Sequence, residues 1–221
     1  MNNKIRVKIC CIGSVEEAML AIKYGASAIG LVSEMPSGPG VIDESLIAEI
    51  VKKVPPPTGT FLLTSKQYAD EIIVQRVRTK VNTLQLVDYV PLDELIRLKK
   101  ELPMIKLVQV IHVIDENSVE EAIEVSEYVD ALLLDSGNPN LKVKELGGTG
   151  RTHNWDVSRL IVQKVKVPVF LAGGLTSRNI PDAVKIVQPY GIDICSGVRT
   201  NENLDEEKLK LFFQQVDKYN S

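Results

Sequence analysis

The sequence predicts a closed (β/α)8 barrel in one domain spanning 1–221. Three observations predict it. Short apolar runs alternate with amphipathic stretches from end to end, the pattern of repeated β–α units on a parallel sheet. The alternation yields eight of each, whereas an open doubly wound sheet is complete at about five or six strands. Three late strand ends also carry a carboxylate or paired glycines: Asp135 followed by Gly147-Gly148-Thr149-Gly150, then Ala172-Gly173-Gly174, then Ser196-Gly197-Val198. A barrel of this kind builds a phosphate pocket at its catalytic face in that way.

The elements follow in order. A strand over 5–11 leads to a helix over 14–24, where Ser14 and Glu17 make a capping box and Gly25 stops the helix. After a strand over 28–32, the stretch 33–40 holds too much Pro and Gly for regular structure. Asp43 caps a helix over 44–54, which Pro55-Pro56-Pro57 ends; three residues are too few to separate domains. Then come a strand over 60–63, a helix over 66–78, a strand over 83–87 and a helix over 92–102 stopped by Pro103. Strands over 105–113 and 131–134 flank a helix over 118–128. A long loop precedes a helix over 157–165, a strand over 167–171, a helix over 180–188, a strand over 191–195 and a last helix over 205–219.

Composition excludes several function classes. The net charge is −3, from 26 basic and 29 acidic residues, without the basic excess of a nucleic-acid-binding surface. No apolar run reaches the roughly 18 to 20 residues of a membrane span, and the N-terminus passes into a strand without a secretory leader. Three cysteines make an odd number, so a disulfide framework is not expected and a reducing cytoplasm is. His and Cys show no metal-ligand spacing. The expectation is a cytoplasmic monomer or homodimer acting on a small molecule.

Side chains at the carboxyl ends of barrel strands point into the active site. By alternation Lys8 and Cys10 face inward, while Val7, Ile9 and Cys11 face the helices. A cation beside a thiol raises its thiolate fraction, as a base or nucleophile requires; the alternative is that Cys10 is a small buried filler. Asp135, after Leu132-Leu133-Leu134, is either a solvated loop residue or an acid/base whose pKa burial raises. The glycines bare the main chain to an anion, with Gly148, Gly173, Gly174, Ser196 and Gly197 as the phosphate contacts; any single pair is also explained as a tight turn. Strands six, seven, eight and one are neighbours in a closed barrel, so Asp135 and Cys10 face each other across the phosphate loops. Among the rest, His112 reads as core or rim, His153 and Arg151 as loop residues near ligand or water, Trp155 as an anchor of the sixth helix and Cys195 as core. The Asp43, Glu44 and Glu49 face is a solvated helix surface.

Lys8-Ile9-Cys10, Asp135-Ser136, Gly147-Gly148-Thr149-Gly150-Arg151-Thr152, Leu171-Ala172-Gly173-Gly174-Leu175 and the stretch 189–198 resemble the phosphoribosylanthranilate isomerase family in order and spacing. The resemblance covers nearly the whole chain. It implies an Amadori rearrangement without metal or organic cofactor: Asp135 protonates the furanose ring oxygen, Cys10 removes the C2 proton and the glycine loops hold the 5-phosphate. It also implies a pocket wall from Lys8, Gly40, Val87 and Arg151. Three departures stand out. Gly40 lies where the family has an arginine for the anthranilate carboxylate, Val87-Asp88 replaces a His-Gly pair, and Cys11 replaces a glycine. A lost charged hydrogen bond is worth about 1.5 to 3 kcal/mol, and Asp88 at the rim adds repulsion. Arg78, Arg97, Arg151 or Arg178 would have to substitute. Two rivals follow: an isomerase of the same mechanism on another phosphorylated aminoaldose, and a non-catalytic barrel that only binds phosphosugars.

Overall fold

The computed structural model describes residues 4–220. Eight parallel strands close into a ring: β1 (Arg6–Ile9), β2 (Ala28–Val32), β3 (Gly59–Thr64), β4 (Thr83–Leu86), β5 (Lys106–His112), β6 (Ala131–Asp135), β7 (Val169–Leu171) and β8 (Gly191–Ile194), with β8 bonded back to β1. The helices α1 (Val15–Lys23), α2 (Glu44–Lys53), α3 (Ala69–Thr79), α4 (Leu92–Glu101), α5 (Asn117–Ser126), α6 (Trp155–Lys164) and α7 (Ile180–Val187) alternate with them, and α8 (Glu206–Asn220) closes the chain. A 3-10 turn over Ser196–Val198 and a two-stranded hairpin, β9 (Arg199–Thr200) with β10 (Asn203–Leu204), lie between β8 and α8. Strands of two residues carry no alternation, which is why the sequence shows no sign of the hairpin.

Alternation along each strand sorts the core into two layers. Outward residues such as Val7, Ile9, Ile29, Leu31, Leu84, Leu132 and Leu134 pack beneath the helices. Inward residues such as Ala28, Phe61, Leu63, Val108, Leu133 and Phe170 fill the ring, where Phe61 and Phe170 meet edge to face at 6.1 Å. Each such side chain contributes about 1.5–3 kcal/mol on full burial, so the inward layer is a packed floor beneath the carboxyl-end mouth.

Local chemistry shifts several element ends. Ser14 Oγ accepts from the Glu17 amide at 3.2 Å, but the Glu17 carboxylate reaches the Gly13 amide at 2.9 Å, so the cap spans one more residue than a simple box. Asp43 occupies the N-cap of α2 with extended backbone but no side-chain hydrogen bond, so it caps by position alone. Helix α6 starts at Trp155, two residues before the expected 157, because the Asn154 side chain accepts from the amides of Asp156 and Val157. Trp155 packs there against the outer layer. The correction that matters most concerns Cys11. Strand β1 ends at Ile9, and Cys11 takes φ +61°. That left-handed turn breaks the alternation, so Cys11 joins Cys10 in the inward layer instead of facing the helices.

Candidate active site

The floor of the site is ionic. Lys8 and Asp193 are register partners on β1 and β8. The Lys8 Nζ donates to Asp193 Oδ2 at 2.8 Å, with Lys8 wholly buried. Burial alone would lower the ammonium's pKa; the Asp193 carboxylate and then Cys10 outweigh it and hold Lys8 protonated. Burial likewise pushes the Asp193 carboxyl up, against the pull of Lys8. Gly30 makes this possible, since a Cβ there would lie 2.8 Å from Cys10 Sγ and 2.9 Å from Lys8 Nζ.

Cys10 sits just past β1, its amide bonded to the Ile194 carbonyl at 2.8 Å. A hydrogen bond from the Cys11 thiol pulls its pKa below the ordinary thiol value, helped by Lys8 and opposed by burial and Asp193. Cys11 moves the other way, far up, because its proton is engaged with Cys10 while Cys195 lies against it and burial adds to the effect. The Cys195 and Cys11 sulfurs are 2.8 Å apart. Asp135 ends β6 with 8% of its surface exposed, and burial pushes its carboxyl up against the bond that Oδ1 accepts from the Ser136 amide at 2.7 Å. A thiol biased toward thiolate and a carboxyl biased toward its protonated form make a base and an acid.

Cys10 and Asp135 line one cleft at the carboxyl-end mouth. One side is main chain: Gly148, Gly173 and Gly174 line it with φ of +68°, +79° and +60°. Among the described residues none of these three amides donates a hydrogen bond within the protein. Bare amides converging on a cleft suit an oxyanion. A Cβ at 174 would lie 2.6 Å from the Arg151 carbonyl carbon, so glycine is required there twice over. The rest of the lining is largely apolar, with Val32, Met35, Pro39, Leu63 and Leu146.

The structure brings Cys10, Asp135, Gly148, Gly173, Gly174 and Ser196 onto this cleft. It does not bring Gly197, where a Cβ would lie 2.2 Å from the Leu175 carbonyl oxygen; that glycine serves packing of the turn. The expected wall of Lys8, Gly40, Val87 and Arg151 needs correction, because none of the four lines the cleft. Lys8 lies under the floor. Val87 is 1% exposed, and its carbonyl accepts from His112 Nε2 at 2.9 Å. The Arg151 guanidinium turns outward to Glu145. Gly40, at φ +77°, backs onto Cys11: a Cβ at 40 would lie 2.5 Å from the Cys11 Cβ. The two departures, glycine at 40 and cysteine at 11, are therefore one packing event. Asp88 is no bare anion either, since Lys144 Nζ donates to it at 2.5 Å and it is buried. Arg78 pairs with Glu44 and Arg97 with Asp70 and Glu101; among the described residues no Lys or Arg lines the cleft.

Cys195, expected in the core, is half-buried and lines the cleft beside Cys11. Burial lowers His153 to about 4, leaving it neutral with Nε2 bonded to Ser158 Oγ at 2.7 Å. Three further residues matter to the site although sequence reasoning does not reach them. Asp193 was readable, as the polar member of the alternating Gly191-Ile192-Asp193-Ile194; Gln85, which also lines the cleft, had the same signal. Arg199 had none: it bridges Glu17 to the carbonyls of Cys10 and Cys11 across 182 to 189 residues. Among the described residues no group of His, Cys, Asp and Glu is placed to hold a metal, and no helix is long and apolar enough to cross a membrane.

The model of the N-(5′-phosphoribosyl)anthranilate (PRA) isomerase family matches residues 7–215. The chain belongs to that family. It is 37% identical to N-(5′-phosphoribosyl)anthranilate isomerase 2 of Methanosarcina mazei, over 95% of this chain and 92% of that protein. It is 34% identical to the isomerase of Methanosarcina acetivorans, over 96% and 93%. Among solved structures, PRA isomerase from Thermotoga maritima superposes with a TM-score of 0.84 at 25% identity, covering 97% of this chain and 99% of that one. A PRA isomerase in complex with reduced 1-(o-carboxyphenylamino)-1-deoxyribulose 5-phosphate shares the fold, with a TM-score of 0.81 at 23% identity over 97% and 99%. Family members thus share this ring of strands along almost its whole length.

Proposed function

We propose that this chain isomerises N-(5′-phosphoribosyl)anthranilate to the 1-deoxyribulose 5-phosphate, the Amadori step of tryptophan biosynthesis. The observation that carries it is the placement of Cys10 and Asp135 on one cleft with bare glycine amides beside them. The glycine loops and Ser196 take the 5-phosphate. Asp135 gives its proton to the furanose oxygen as the C1–O bond breaks, leaving a Schiff base. Cys10 then takes the C2 proton, and the enolamine relaxes to the ketone. Asp135 ends one proton short and Cys10 one proton richer, so a proton exchange with water resets both. No cofactor enters this scheme, and the chain acts as monomer or homodimer in the cytoplasm. The test is loss of the substrate's anthranilate fluorescence on turnover, backed by rescue of a tryptophan auxotroph lacking this isomerase; Asp135→Asn must abolish both.

One observation favours a second reading. With no Lys or Arg on the cleft wall among the described residues, the same proton transfers suit a phosphorylated aminoaldose with an uncharged substituent. Turnover of such a substrate, with none of the anthranilate compound at high enzyme concentration, would decide for it. Phosphosugar binding that survives Cys10→Ser and Asp135→Asn without any turnover would mean a binding barrel.

A further inference from the structure

We propose that Cys11 and Cys195 form a reversible dithiol–disulfide site at the mouth of the cleft, with a small-molecule disulfide as its oxidant. The chain has three cysteines, and all three line this one cleft although Cys11 and Cys195 are 184 residues apart in sequence. Their sulfurs lie 2.8 Å apart, closer than unbonded sulfurs ordinarily sit and a small step from a bond of about 2.05 Å.

The backbone is arranged for this contact. At φ +61° Cys11 holds a conformation that side-chain-bearing residues seldom adopt, and without it alternation would bury the thiol under the helices, away from any oxidant. The glycine at 40 clears the space its Cβ occupies. The Arg199 guanidinium donates to the carbonyls of Cys10 and Cys11 and pins the turn. The bond from the Cys10 amide to the Ile194 carbonyl holds the two chain segments together at 2.8 Å.

The chemistry balances without further reagents. The Cys195 sulfur, the less buried of the pair, attacks an incoming disulfide RSSR, forming a mixed disulfide and releasing one RS⁻. As its proton passes to the adjacent Cys10 sulfur, the Cys11 sulfur attacks the Cys195 sulfur and expels the second RS⁻. The two cysteine protons pass to the leaving thiolates, so two protein thiols are oxidised and RSSR is reduced to two RSH. Once its sulfur is bonded to Cys195, Cys11 no longer holds the Cys10 pKa down, and turnover falls several-fold. That last consequence alone rests on Cys10 being the base.

The test incubates the native chain with glutathione disulfide and counts free thiols by alkylation. The expected count falls from three to one, with Cys10 still reduced, a peptide pair linking positions 11 and 195, and full reversal by dithiothreitol. Cys195→Ser must keep both its thiols. Cys11→Gly, which adopts the left-handed turn without strain and whose folding circular dichroism checks, must keep both of its own. Three persisting thiols, a glutathione adduct on Cys10, or a Cys10–Cys11 bond in Cys195→Ser would overturn the site. Disulfide formation with unchanged turnover would leave the site standing and overturn only the role given to Cys10.

Discussion

The two sides of the cleft are built from different materials. The side formed after β6, β7 and β8 is main chain: glycines at positive φ with unpaired amides, backed by Arg151 and Thr152 backbone against Gly174. The side formed after β1, β2 and β3 is side chain, an apolar wall of Val32, Met35, Pro39 and Leu63 over the Cys11–Gly40 contact. A main-chain cradle tolerates almost no substitution, because each glycine is fixed both by its φ and by what a Cβ would strike. A side-chain wall can be repacked by paired changes, since a cysteine gained at one position fills room that a glycine leaves at another. The proposed anion cradle is thus rigid in this molecule, and the surface facing the rest of the cleft is adjustable.

The comparison breaks hardest where the proposed proton-transfer groups span the two sides. Asp135→Asn and Cys10→Ser should each lower turnover by about 10²–10⁴-fold, the usual worth of a placed acid or base, with the circular dichroism unchanged. Next is the floor that joins the sides. Lys8→Met leaves Asp193 buried and unpaired and should destabilise by about 3–5 kcal/mol in urea unfolding, while adding Asp193→Leu should recover most of it. Gly174→Ala forces a Cβ into the Arg151 carbonyl carbon at a φ of +60°. It should cost about 1–3 kcal/mol and raise KM for the phosphorylated substrate more than it lowers kcat. On the adjustable side Gly40→Ala should destabilise by about 1–3 kcal/mol through its clash with Cys11. Cys11→Gly in the same chain should recover the part due to the Cys11 side chain and leave the strain of alanine at φ +77°, a coupling that a double-mutant cycle measures directly. If Gly174→Ala is likewise rescued by one neighbouring change, the contrast between the two sides fails.

The smallest effect is in pH dependence. The Cys11 thiol lowers the Cys10 pKa, so Cys11→Ala should raise it, and the limb of the kcat/KM profile that belongs to Cys10 should move to higher pH. The limb belonging to Asp135, whose carboxyl is raised by burial, should stay in place.

Much of this was readable in the chain. Period-two alternation and glycine-marked ends gave the strands, their number gave the closed ring, and closure alone set the ends of β6 and β1 on one mouth. Asp135, Cys10 and the glycine pairs at 173–174 followed from strand ends. What failed did so at backbone exceptions. Alternation sent Cys11 to the helix side, because nothing local in Cys10-Cys11-Ile12 shows that a cysteine will take a glycine's conformation. The family resemblance placed Gly40, Val87 and Arg151 on the pocket wall, because a matched motif says where a residue lies in the chain but not whether Glu145 will draw its charge away.

The sequence by itself determined the period of each element and the chemical kind of group at each strand end, since both are local properties of a few consecutive residues. Only the tertiary structure decided which charges were already paired and which thiols touched. Lys8 with Asp193, Asp88 with Lys144 and Cys11 with Cys195 lie 185, 56 and 184 residues apart. Such pairings exist only once the ring has closed.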